Sequence, residues 1–176
     1  SWTNWNITEI DREFFEFVGR LARVRHSHPI LQRRTFFKGK LSGEDPTNVD
    51  VIWLNEDGTE MTSKDWTRQN RRHFGVIFNG NEIDEIDDEG NFVTGSNLLI
   101  ICNSHWDEIE FVLPPNPSES YARIIEPSKC WKLVLETTGL FSPSCWELKT
   151  KFLVSPRSLT LFELADKDEN LPYLTV

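Results

Sequence analysis

Leu41-Ser42-Gly43-Glu44-Asp45-Pro46 divides the chain into two regimes. It is polar and turn-forming, and the hydrophobic pattern changes across it. On its C-terminal side the apolar residues fall in short β-branched and aromatic runs separated by Gly, Pro, Asn and Asp. The runs are Val51–Leu54, Phe74–Asn79, Asn97–Asn103, Ile109–Leu113, Trp131–Glu136, Lys151–Val154 and Ser158–Leu164. Short strands at this spacing predict a mainly β fold, an antiparallel β-sandwich of Greek-key type, with Asp57-Gly58 and Glu89-Gly90-Asn91 as tight turns.

On the N-terminal side Ile10, Phe14, Phe17, Val18, Leu21 and Val24 recur at intervals of three and four, which places them on one face of a helix over residues 9–27. Thr8, with Asp11 three residues on, caps its start. Pro29 ends it, because the residue before a proline is driven out of the helical region. Residues 32–40 then form a connector that carries the pair Phe36-Phe37. A single sandwich does not obviously cover the apolar stripe of such a helix, so the stripe is expected to dock on another domain.

Composition narrows the function classes. The chain is 38% hydrophobic, with seven tryptophans and twelve phenylalanines, enough to bury a core. No apolar run approaches the roughly 18 residues of a membrane span, and no secretory signal is visible. A formal charge of -9 argues against a general nucleic-acid surface. The most basic run, Arg20 to Arg34, lies on the helical pattern and reads as a solvated or docked face. Cys102, Cys130 and Cys145 are odd in number and do not look like a disulfide framework, which favours a reducing compartment. His26, His28, His73 and His105 show no ligand spacing with them, so no metal is expected. Asn6-Ile7-Thr8 is formally a glycosylation acceptor, but Thr8 is better explained as the helix cap.

Several segments, taken in order, resemble one enzyme family. Trp2-Thr3-Asn4-Trp5 is similar to a Trp-x-Asp-Trp closing the last loop of a catalytic barrel, and Arg25-His26-Ser27-His28-Pro29-Ile30-Leu31 to R-x-x-H-P-x-L at the end of the last barrel helix. Arg33-Arg34-Thr35-Phe36-Phe37-Lys38-Gly39, the run from Trp53 through Asn55-Glu56-Asp57-Gly58-Thr59-Glu60-Met61 to Asp65-Trp66, and Gly75-Val76-Ile77-Phe78-Asn79-Gly80 follow. Leu98-Leu99-Ile100-Ile101-Cys102-Asn103-Ser104-His105, Glu110-Phe111-Val112-Leu113-Pro114, Trp131-Lys132-Leu133-Val134-Leu135-Glu136-Thr137 and Pro156-Arg157-Ser158 complete the series. Together they resemble the C-terminal part of the isoamylase-type glycogen debranching enzymes of glycoside hydrolase family 13. Asn4 departs from the family's Asp, and Ser27 stands where a basic residue is frequent.

The resemblance implies a parent that opens α-1,6 branch points in glycogen or a related α-glucan by retaining chemistry on carboxylates at barrel strand ends. Those positions would lie upstream of Ser1. The chain, whose one methionine is Met61, then reads as a C-terminal fragment. Residues 1–44 are the last helix of a (β/α)8 barrel with its connector, and residues 45–176 are the sandwich. Its expected partner is the upstream barrel, through Trp2, Trp5, Phe14, Phe17 and Leu21. It needs no cofactor, and a bacterial cytoplasm or a plastid stroma is implied.

No catalytic residue is assigned. The acidic run from Glu82 to Glu89 is dense enough to suggest paired carboxylates, yet it sits between two strands and reads as a solvated hairpin. Trp53 and Trp131 fall in apolar strands and are expected in the core. Trp66 and Trp106 lie in polar loops, where an indole beside hydrogen-bonding groups suits a sugar ring or a neighbouring domain. Three roles are thus open: a structural support for the barrel, an autonomous α-glucan-binding module acting through Trp66, Trp106 and Tyr121, and a protein-interaction domain using the helix face.

Overall fold

The structure, a computed structural model, describes residues 5–39, 49–114, 129–139, 144–167 and 173–174. Helix α1 spans Glu9–Ser27, and a 3-10 turn follows at Pro29–Gln32. The strands are β1 (Val51–Leu54), β2 (His73–Phe78), β3 (Leu98–Asn103), β4 (Ile109–Val112), β5 (Lys129–Glu136), β6 (Cys145–Trp146), β7 (Lys151–Val154), β8 (Ser158–Asp166) and β9 (Tyr173–Leu174), with a short helix α2 (Ser63–Trp66) between β1 and β2.

The sandwich is asymmetric. Seven strands form one sheet in the order β1-β2-β3-β8-β5-β6-β9, and β4 pairs with β7 in a second. All pairings are antiparallel except β6 with β9. Alternation in β1 and β3 turns Ile52, Leu54, Leu99 and Ile101 toward Phe111, Phe152 and Val154 of the small sheet and Leu113 just after β4, with Trp131 and Phe162 fully buried among them. The opposite face of the large sheet holds a second cluster, in which Ile30 of the 3-10 turn meets Ile83, Leu98, Leu135 and Leu161. Strand β5 serves both clusters because its register shifts between Leu133 and Leu135. An extra residue in one strand turns the residues after it to the other face, so Leu133 lies in the first cluster and Leu135 in the second.

Two turns form as read. Gly58 adopts φ +79° and closes the turn by donating its N–H to the Asn55 carbonyl, while Gly90, at φ +90°, donates to Asp87. Two expectations are corrected. Trp53 is only half-buried: its neighbours Ile52 and Leu54 point into the core, so strand alternation turns the indole outward against Trp66 and Phe74. Cys130 and Cys145 form a disulfide, with Cα atoms 5.8 Å apart, and Cys102 is free. The pairing of β5 with β6 brings the two together, and a separation of 15 residues gives no sign of it in the sequence.

Candidate functional site

Two surfaces carry the residues singled out in the sequence. The first is α1 and the joint that attaches it. Thr8 Oγ1 accepts from the Asp11 N–H, and Asp11 Oδ2 accepts from the Thr8 N–H at 2.8 Å, a reciprocal capping box. This hydrogen bonding to Thr8 holds the Asp11 carboxyl below its ordinary pKa. None of the residues of α1 is buried. Ile10 is 77% exposed and Phe14 63%, and Val18 and Leu21 are exposed beside them; Trp5 and Ile7, just ahead of the helix, are open as well. Phe17 and Val24 are partly buried against the second cluster. Of the residues expected at a domain interface, Trp5, Phe14 and Leu21 are therefore exposed, Phe17 partly so, and Trp2 lies outside the described residues. A cleft of about 1090 Å³ runs between α1 and the sheet, lined by Val18, Leu21, Val24, Pro29, Ile100 and Leu161 among others.

The joint itself is His28, the C-cap of α1 and the residue before Pro29. Its side chain is buried, with Nδ1 2.7 Å from the Val24 carbonyl oxygen and Nε2 3.6 Å from Glu163 Oε1 on β8. The facing Glu163 raises the His28 pKa from its ordinary 6.5, against the opposing effect of burial. His28 in turn lowers that of Glu163. Just beyond, Arg33 Nη1 reaches Asp50 Oδ2 at 2.8 Å, and Asp50 also accepts from the N–H groups of Lys38 and Gly39 at 2.9 and 2.8 Å. The guanidinium lies 4.7 Å from the centroid of Phe37, which packs on Phe78. This set pins the connector to the start of β1.

The second surface is a tryptophan edge. Trp66 ends α2, is 55% exposed, and makes a T-shaped contact with Trp53 at 5.2 Å. A second capping box, Thr62 with Asp65, starts that turn, and hydrogen bonds from Thr62 hold Asp65 at a pKa of about 2. Arg71 donates to Asn55 Oδ1 at 2.7 Å and lies 3.6 Å from Asp65, so the loop after α2 is tied back to the β1 turn. Trp106 is 57% exposed, but its ring is in use: His105 stacks on it at 4.3 Å, and the Arg72 guanidinium lies 4.6 Å from its centroid. A sugar would have to compete with these neighbours, whereas Trp66 has its T-shaped contact with Trp53 and, among the described residues, no cation over its ring. Tyr121 lies outside the described residues.

The acidic run forms a hairpin, as its turn residues require. Ile86 bridges Phe92, Asp87 accepts from the N–H groups of Glu89 and Asn91, Asp84 pairs with Lys38 at 2.6 Å, and Glu85 accepts from the Arg34 N–H. Asp84 and Asp87 are held below the usual carboxylate range, by Lys38 and by the Asn91 N–H respectively. A general acid for glycoside hydrolysis needs the opposite shift. Among the described residues no group of three or more His, Cys, Asp and Glu is placed to hold a metal ion, and no helix is long and apolar enough to cross a membrane.

Comparison with known proteins agrees with the motif series. The glycogen operon protein GlgX homologs of Mycobacterium bovis and Mycobacterium tuberculosis are each 32% identical to this chain over 114 residues, which is 65% of the chain and 16% of the relative. The chain is similar to isoamylase-type glycogen debranching enzymes. It spans about one sixth of the length of the curated relatives it matches. No family model matches the chain. An isomaltulose synthase mutant from Erwinia rhapontici NX5 in complex with D-glucose covers 82% of the chain, and the chain covers 16% of it, at 12% identity and TM-score 0.40. A trehalulose synthase MutB mutant covers 86% at 14% identity and the same score, with 18% of its own length matched. Likeness at that level is too slight to build on.

Proposed function

We propose that this chain is the non-catalytic C-terminal part of an enzyme that hydrolyses α-1,6 branch linkages in glycogen or a related α-glucan, and that it supports the catalytic barrel by docking through α1. The observation behind this reading is the exposed row of Ile10, Phe14, Val18 and Leu21 on a helix with no buried residue. Most of a helix's stability in a protein comes from packing its apolar face, and a row left in water does not supply it. Similarity to proteins named for a glycogen operon supplies the substrate class. The compartment we read is a bacterial cytoplasm. The Cys130–Cys145 bond is compatible with it because both residues are fully buried, which keeps soluble reductants away while the domain is folded.

The test has two arms. The isolated chain is expected to release no reducing ends from a branched α-glucan. In the full-length enzyme Phe14→Ser with Leu21→Ser is expected to lower debranching activity at least tenfold, since two side chains buried at an interface contribute about 1.5–3 kcal/mol each. Debranching by the chain alone, or a double variant as active as the wild type, would sink the reading.

The exposed Trp66 favours a second reading, an α-glucan-binding surface. Tryptophan fluorescence of the chain titrated with maltoheptaose checks it. If Trp66 is the platform, saturable binding is lost in Trp66→Ala and kept in Trp106→Ala; a flat titration of the folded chain removes this reading.

A further inference from the structure

His28 is held in a way that only one protonation state satisfies. Its Nδ1 lies 2.7 Å from the carbonyl oxygen of Val24, which accepts only, so Nδ1 carries the proton. Nε2 then faces the Glu163 carboxylate at 3.6 Å. In neutral imidazole this nitrogen presents a lone pair to an anion; in imidazolium it presents N–H to the same anion. Attraction on both sides of the ring needs the cation. The Ser27 hydroxyl, 3.1 Å from Nδ1, shares the Val24 carbonyl and does not change this count.

The location gives the pair a mechanical role. His28 is where the chain leaves α1 and enters the 3-10 turn, whose Ile30 is buried in the second cluster. On one side of this residue the chain is fixed in the sandwich; on the other it is a helix with no buried residue. We propose that the His28–Glu163 pair is a pH-sensitive latch that sets how α1 leaves the sandwich, and so regulates presentation of the docking face. The inference rests on the docking role of α1 argued above.

The other groups around the joint do not mimic it. Lys132 on β5 and Ser96 before β3 act on Glu163 and stabilise its anionic form. Arg25, His26, Arg34 and Glu85 line the adjoining cleft. Of these, His26 is exposed. The signs follow from the two displacements. A histidine whose folded pKa is raised contributes stability fully below 6.5, which is lost as pH rises through the raised value. A carboxylate whose folded pKa is lowered contributes above 4.5 and loses its contribution as pH falls. The latch is therefore fully closed between 4.5 and 6.5 and opens on the alkaline side.

Two measurements test it. Proton NMR of the imidazole rings is expected to show His28 titrating above 6.5. Hydrogen exchange of the Leu31 amide, which donates to the His28 carbonyl, reads the joint directly once corrected for the intrinsic effect of pH. Its protection is expected to fall several-fold between pH 6 and pH 8.5, as the cationic ring that Glu163 favours is lost. In Glu163→Gln, protection is already low at pH 6 and flat with pH, and His28→Gln behaves alike if Glu163→Gln does not fold. Titration of His28 at or below 6.5, or the same pH profile in wild type and variants, overturns the latch. Neither result touches the docking reading, whose Phe14→Ser and Leu21→Ser assay is run at one pH.

Discussion

Trp131→Ala is expected to cost the domain about 3–5 kcal/mol, a large part of the roughly 5–15 kcal/mol that holds a domain folded. Trp131 is fully buried at the centre of the core shared by the two sheets. Its Nε1–H donates to the Pro114 carbonyl at 2.7 Å. Truncation leaves a cavity of indole size and a buried carbonyl without a donor, two costs that add. Trp131→Phe separates them: the ring keeps most of the volume but not the donor, and should cost about 1–3 kcal/mol. Urea unfolding followed by circular dichroism reads both. A loss under about 1 kcal/mol for the alanine variant would mean the site collapses around the gap, contrary to the packing seen.

Asp50→Ala is the second large effect, expected at about 3–5 kcal/mol because it leaves a buried guanidinium without its anion. The Arg33 and Asp50 side chains are 2% and 7% exposed. Asp50 also satisfies two backbone N–H groups, those of Lys38 and Gly39, which lose their acceptor with it. Arg33→Met should cost a similar amount for the mirrored reason, an unpaired carboxylate. The double variant should then cost clearly less than the two added together, as residues in one network do not act independently. Additive losses in a double-mutant cycle would show that the pair is not coupled.

Strands β1 to β5, β7 and β8 were legible because each carries β-branched or aromatic residues between turn formers, and α1 was legible from a six-residue apolar row with a cap before it and a proline after it. What escaped was non-local or very short. Strands β6 and β9 have two residues each and are defined by their neighbours alone. Helix α2 carries a Thr62/Asp65 capping box of the same kind as Thr8/Asp11, but four residues are too few to show a periodicity. Arg33 with Asp50, His28 with Glu163 and Cys130 with Cys145 are pairs that chain tracing brings together. Trp53 could have been placed correctly: its neighbours Ile52 and Leu54 claim the core face of β1, so alternation leaves the indole on the other. At the candidate site, the exposure of Trp66, Trp106 and the face of α1 was legible from their polar or amphipathic contexts, whereas the Arg72 and His105 contacts on Trp106 depend on how two loops meet.

The place of β8 in the sheet has a consequence for synthesis. This strand lies between β3 and β5 and pairs with both, although about 60 residues separate it from β3 in the chain. As the chain leaves the ribosome, Leu98-Leu99-Ile100-Ile101 waits with one edge unpaired until β8 is made, a delay of roughly 3–12 seconds at ordinary elongation rates. Through that interval the nascent chain presents an apolar strand edge of the kind that recruits chaperones or other unfinished chains. Codon choice over 104–157 should thus affect the yield of soluble protein more than an equal change within 49–103.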